Sequence, residues 1–144
     1  MILVDTNILL YAVNPDTDHH VAAKRRLEHL HNGKEPWVVT WGILYEFLRV
    51  ATHPRVFPKP LSFRQAQSFV DGLLGSPSCR VLTETSEHRV ELLAAVAELP
   101  RINGNQVHDL HHAIIMREHG IRDILTCDTD FRLFPWVDIQ GLAE

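Results

Sequence analysis

A chain of 144 residues fits a single domain, 1–144, large enough to bury a core without disulfides or a structural metal. Hydrophobic residues at 45% and charged residues at 22% exclude a disordered chain, a coiled coil and a collagen-like fibre. A formal charge of −4, from 18 acidic and 14 basic side chains, excludes a protein held on nucleic acid by bulk positive charge alone, unless acids gathered about a metal leave local basic clusters free to touch phosphate.

Ile2-Leu3-Val4 reads as a short strand, and the early Asp5 leaves no room for a signal peptide, so a cytoplasmic protein is expected. Asp5-Thr6-Asn7 offers capping side chains to a helix over Ile8–Val13. A second helix is predicted from the Asp16-Thr17-Asp18 capping cluster to Asn32-Gly33, with Ala23, Leu27 and Leu30 inward and Lys24, Arg25 and Arg26 outward. Trp37–Thr40 reads as a strand and the long apolar run Trp41–Val50 as a buried helix. Pro54, Pro58 and Pro60 exclude regular structure and mark a stiff, basic loop. Ser62 with Gln65 forms a capping box for a helix in which Phe63, Ala66, Val70 and Leu73 recur until Gly75. Cys79–Leu82 reads as a strand, and Glu87–Glu98 as a helix with Val90, Leu93, Ala94 and Ala97 inward, ended by Pro100. A further helix spans Val107–His119 up to Gly120, and strands follow over Ile124–Cys127 and Val137–Ile139. Cys79 and Cys127 lie in no Cys-x-x-Cys pair and read as small core residues. No apolar stretch approaches the roughly 20 residues a bilayer requires. Strands alternating with helices predict an α/β fold, a three-layer α/β/α sandwich with a short central parallel sheet.

In such a sheet the functional crevice lies beyond the carboxyl ends of the strands. Asp5 follows one strand directly, Asp128 another with Asp130 two residues on, Asp109 sits in a helix first turn, and Glu46 lies on the helix after the second strand. Each has a structural alternative: Asp5 as a helix cap, Asp109 as a partner of the helix dipole, Asp128 and Asp130 as turn formers. Glu46 stands among Ile43, Leu44, Tyr45, Phe47 and Leu48, so burial is expected to demand a partner, either Arg49 or a metal. As a set, these acids form a pattern that capping alone does not generate. Two carboxylates about 4 Å apart repel by about 4 kcal/mol at an effective dielectric of 20, so protonation or a divalent cation must relieve the cluster. Oxygen-only ligands select Mg²⁺ or Mn²⁺, which suit phosphodiester hydrolysis by an activated water. No nucleophile elbow, P-loop or Gly-x-Gly-x-x-Gly offers a different chemistry.

Val4-Asp5-Thr6-Asn7-Ile8-Leu9-Leu10-Tyr11-Ala12, Tyr45-Glu46-Phe47, Val107-His108-Asp109-Leu110-His111 and Thr126-Cys127-Asp128-Thr129-Asp130-Phe131 resemble, in that order, the motifs of PIN-domain ribonucleases, and more narrowly those of VapC-type toxins of bacterial type II toxin–antitoxin pairs. The resemblance implies a PIN-like fold and Mg²⁺-dependent endonucleolytic cleavage of RNA, with Mn²⁺ able to substitute. Asp5, Glu46, Asp109 and Asp128 match the family's catalytic metal ligands, Asp130 an auxiliary acid, and Asn7 and Thr126 polar supports of the site. A homodimer and a cognate antitoxin are implied as well. His108, His111 and His112 depart from the small or apolar residues that usually flank the third acid, and imidazole invites Mn²⁺ or zinc.

Two other functions compete. His108 and His112 stand four apart around Asp109, as in a zinc-peptidase helix with the acid one methylene short. Alternatively, a catalytically silent module keeps the fold and binds RNA or protein. Arg49 and Arg55 are the first candidates for phosphate contacts, while a solvated helix face accounts for Lys24, Arg25 and Arg26.

Overall fold

The apolar run Ile2–Val4 forms strand β1 at the centre of the sheet, with Leu3 and Val4 fully buried. The computed structural model describes residues 1–99 and 101–142, so the predicted helix stop at Pro100 lies outside the described residues. After β1 come α1 (Thr6–Val13), α2 (His20–Asn32), β2 (Trp37–Thr40), α3 (Trp41–Ala51), α4 (Phe63–Leu74) and β3 (Cys79–Leu82). The chain continues through α5 (His88–Glu98), α6 (Gln106–Glu118), β4 (Asp123–Leu125), a 3-10 turn over Thr129–Leu133 and β5 (Asp138–Gln140). All strand pairs are parallel, in the order β3-β2-β1-β4-β5. Helices α1 to α4 pack on one another, and α5 packs on α6. Right-handed crossovers place these two groups on opposite faces of the sheet, giving the expected α/β/α sandwich. The chain runs outward from β1 to β3 and returns to begin again at β4. The order therefore reverses between β1 and β4, where a crevice opens beyond the strand ends. No helix among the described residues is long and apolar enough to cross a membrane.

Local chemistry explains where elements begin. The Ser62–Gln65 capping box forms with both reciprocal bonds, 3.1 Å and 2.9 Å, and α4 starts at Phe63. The Asp16-Thr17-Asp18 cluster does not cap α2. Asn14 Oδ1 accepts from the Asp16 amide and Thr17 Oγ1 from the His19 amide, so these side chains close turns instead, and α2 begins at His20. Buried Trp37 keeps its indole satisfied by donating to Ser78 Oγ at 3.2 Å, and that hydroxyl donates to the Leu30 carbonyl at the end of α2. Cys79 and Cys127 are free and half-buried, packed at the edge of the core rather than within it.

Two predicted faces are corrected. Helix α3 is not buried all round: Ile43, Leu44, Phe47 and Ala51 point inward, while Trp41, Tyr45 and Glu46 are exposed. In α5 the expected inward residues Val90 and Leu93 are 60% and 62% exposed, Ala97 is exposed, and Ala95 is the buried position. The reason is ionic. His88, Glu91 and Glu98 form the stripe that meets α6, where Arg117 reaches Glu91 at 3.1 Å and Glu98 at 3.3 Å, and this turns the apolar stripe outward. Phe63, in the first turn of α4, is exposed as well.

Candidate active site

The sheet delivers two acids to the crevice. The Asp5 amide donates to the Leu125 carbonyl at 3.0 Å, which extends the pairing of β1 with β4 by one residue and sets Asp5 beside the end of β4. Asp5 Oδ1 accepts from the Thr6 amide at 2.8 Å and caps α1. Oδ2 accepts from Thr126 Oγ1 at 2.7 Å and from Asn7 Nδ2 at 3.3 Å. Capping and site-building are thus the work of one side chain. Asn7 also donates to Thr126 Oγ1 at 3.0 Å and accepts from the Cys127 amide at 3.2 Å. Thr126 Oγ1 in turn accepts from the Asp128 amide at 2.9 Å. Asn7 and Thr126, expected as polar supports, therefore fix the backbone that aims Asp128.

Asp128 Oδ1 accepts from the Asp130 amide at 2.8 Å and opens the 3-10 turn, bringing Asp130 back toward the crevice. Asp109 enters from the first turn of α6. Asp109, Asp128 and Asp130 each place a carboxylate oxygen within 4.8 Å of the others, with Asp109 and Asp128 half-buried and Asp130 exposed. Asp130, expected as auxiliary, thus stands in the central group, because the Asp-Thr-Asp turn that it shares with Asp128 folds it inward. Asp5 is buried, within electrostatic reach of Asp109 and Asp128.

The electrostatics follow from this crowding. Burial pushes the Asp109 carboxyl up to about 7, helped by the charges of Asp128, Asp5, Asp130 and Glu46. Asp5 is raised to about 6, mainly by burial, against the lowering effect of bonds from Thr126 and Thr6 and with Asp128 and Glu46 adding repulsion. None of Asp5, Asp109, Asp128 and Asp130 forms an ion pair among the described residues. An all-oxygen donor set with unrelieved repulsion fits a hard divalent cation.

Glu46 corrects the expectation of a buried acid. The inward stripe of α3 leaves it on the open side, with its side chain 45% exposed and 3.9 Å from Arg49, so burial does not require a partner there. Its charge nevertheless reaches Asp5 and Asp109. Arg49 is exposed beside Glu46, and Arg55 lies exposed in the proline loop, its amide bonded to His53 Nδ1 at 3.1 Å.

The His108–His112 zinc pair is not assembled. His108 is exposed, whereas His112 is buried, with Nδ1 3.2 Å from Thr40 Oγ1. It packs on Gly42, where a Cβ would lie 3.1 Å from Cε1. Burial, with His111 and His108 nearby, lowers His112 to about 4. His111 turns away to Glu84, 2.6 Å from Nε2 to Oε1. Periodicity gave no sign of this back face of α6, because its partners lie in the loop before α5.

The family model described as PIN domain matches residues 2–137. Ribonuclease VapC37 of Mycobacterium tuberculosis is 34% identical over 137 residues, which cover 95% of this chain and 94% of the relative. Among solved structures, Mycobacterium tuberculosis VapC20, described as a sarcin-ricin loop cleaving toxin, superposes with a TM-score of 0.68 at 20% identity, covering 95% of this chain and 97% of the other. VapBC2 from Rickettsia felis, bound to a DNA fragment from their promoter, gives a TM-score of 0.68 at 20% identity, with coverage of 99% and 100%.

Proposed function

This chain belongs to the PIN domain family and, within it, is similar to VapC ribonucleases along nearly its whole length, and from that premise we propose that it is a Mg²⁺-dependent endoribonuclease, the toxin of a toxin–antitoxin pair. The observation that carries the proposal is the convergence of Asp109, Asp128 and Asp130 at the switch point of the sheet without a basic partner among the described residues. These three, together with Asp5, would hold the ion directly or through water, and Asp5 also locks Thr126 and the Asp128 segment. When bound, the cation supplies Lewis-acid activation of water and neutralises charge on the phosphoryl oxygens. Glu46, exposed at the rim and within electrostatic reach of Asp5 and Asp109, accepts a proton from the attacking water. The oxygen-only donor set supports Mg²⁺ with Mn²⁺ as substitute over zinc.

RNA is the substrate and a cognate antitoxin the inhibitor in this reading, drawn from the named relatives. Exposed apolar side chains on α3 (Trp41, Tyr45) and α5 (Val90, Leu93, Val96) support a homodimer. The test is cleavage of total RNA by purified, antitoxin-free protein in EDTA, Mg²⁺, Mn²⁺ and Zn²⁺, beside Asp109→Asn. Cleavage that requires Mg²⁺ or Mn²⁺ and vanishes in the variant is expected. A folded protein that cuts nothing under any metal would point to the silent binding module instead.

A further inference from the structure

Helix α2 divides its basic residues between two surfaces. Ala23, Leu27 and Leu30 face the core. Lys24 borders an apolar groove shared with α4. Arg25, Arg26 and His29 border a different groove of about 730 Å³, between the start of α2 and the segment after β4, and that groove is also lined by Cys127. Cys127 precedes Asp128, and both line the adjoining cleft together with Arg132. In the other direction, Arg26 and His29 line a hollow with Lys34 at the amino ends of β1 and β4, where Glu35 and Asp123 also border it. Three neighbouring depressions that share Cys127, and then Arg26 and His29, thus follow one another from Asp128 along α2 to Lys34.

The cations of this path are uncommitted. Arg25, Arg26, Lys34 and Arg132 form no ion pair among the described residues, whereas Arg117 and Arg122 are tied to Glu91, Glu98 and Asp138. Among the described residues, Asp18 is the one acid lining the groove beside α2, against Arg25, Arg26 and the imidazoles of His19 and His29. A polyanion with one phosphate drawn to the metal site needs cationic support outside the acid cluster, which itself repels phosphate.

We propose that the Arg25–Arg26 face of α2 is the track for single-stranded RNA on one side of the cleaved bond. Arg25 and Arg26 hold backbone phosphates while the scissile phosphate lies at Asp109, Asp128 and Asp130. This rests on the nuclease reading above. A helix of 13 residues is about 20 Å long, enough for several nucleotides, and phosphate contacts position the strand without selecting its sequence.

The experiment compares wild type, Arg25→Glu/Arg26→Glu, the milder Arg25→Gln/Arg26→Gln and the control Lys24→Glu, with folding checked by circular dichroism. Two quantities are measured: cleavage kinetics in Mg²⁺ on an RNA oligonucleotide, and binding of that labelled oligonucleotide by anisotropy in EDTA across a salt series. The charge-reversed variant is expected to raise KM about 10-fold with kcat within about 2-fold. Both double variants should flatten the salt dependence by about 1.4 in log–log slope, the value for two lost phosphate contacts on a single strand. Lys24→Glu should leave both quantities near wild type. A wild type that cuts, with double variants unchanged in KM and slope, overturns the track and leaves the face to a protein partner. A wild type that binds RNA through Arg25 and Arg26 but cuts nothing keeps the track and removes the nuclease reading. Neither cutting nor Arg-dependent binding overturns both.

Discussion

Helix α6 carries carboxylates on two sides, and their surroundings are opposite. Glu118 is buried on one side, where Oε1 accepts from the Thr85 amide at 2.9 Å and from Thr85 Oγ1 at 2.7 Å, while Oε2 faces His88 Nδ1 at 2.7 Å. Burial raises its carboxyl, yet these partners outweigh it and hold Glu118 below the ordinary range. Asp109, on the other side, meets further acids instead, and burial with their charges drives it up to about 7. Glu118 ties α6 to the segment that opens α5, so its polarity is consumed by the fold. Asp109 is charged only against this repulsion, which under the proposed function a cation relieves. Acids without a basic partner among the described residues, gathered at the switch point, lower stability, and under the proposed function a cation binds there and offsets that cost.

The largest expected effect comes from Asp109→Asn, which should reduce RNA cleavage more than about 100-fold, beyond what loss of a supporting residue around a metal causes. Its melting temperature should hold or rise, because repulsion is relieved; a sharp fall would break the contrast. Asp5→Asn should lose activity similarly without gaining stability. Its Oδ2 accepts from Thr126 and Asn7, and an amide nitrogen there would face those donors.

Glu118→Ala should behave in reverse, destabilising the protein by about 2–3 kcal/mol in urea unfolding, through donors left unpaired, while the cleavage rate of the folded fraction stays within about 2-fold. Loss of activity without loss of stability would place Glu118 in the site and end the distinction.

A pH series sharpens the comparison further. Asp5 and Asp109 are raised above the unfolded value of 3.8 to about 6 and about 7, so the folded state holds more protons between these limits. Their stabilising contribution is full below about pH 4, declines as pH rises and is gone above about 7. His112, lowered from 6.5 to about 4, acts oppositely in the same window, since its contribution is lost as pH falls. The difference in urea midpoint between Asp109→Asn and wild type should therefore grow from pH 5 to pH 7, and saturating Mg²⁺ should shrink it. A constant difference would show that Asp109 titrates normally. The smallest effect is expected at Gly120, whose φ of 68° follows the end of α6: Gly120→Ala should lower stability by about 1 kcal/mol in denaturant unfolding and leave cleavage untouched.

The sequence made the alternation of strands and helices legible because short apolar runs and capping signals such as Ser62–Gln65 are local. The acids at the strand ends were legible for the same reason, since sheet topology alone sends Asp5 and Asp128 to one crevice. The inward face of α5 was not, because hydrophobic periodicity identifies an apolar stripe but not that Arg117 and Glu118 on the neighbouring helix will claim the polar one. Glu46 misled in the same way: its apolar neighbours in sequence lie on both sides of α3. The central position of Asp130 depends on the tightness of a turn that the Asp-Thr-Asp sequence permits without dictating.

The most direct test of the contrast between the two sides of α6 is calorimetric titration of Mn²⁺ into metal-free wild type, Asp109→Asn and Glu118→Gln, each shown to be folded. Binding by wild type and Glu118→Gln and its loss in Asp109→Asn is the predicted result. Unchanged binding by Asp109→Asn would contradict the assignment of the acidic cluster as the metal site.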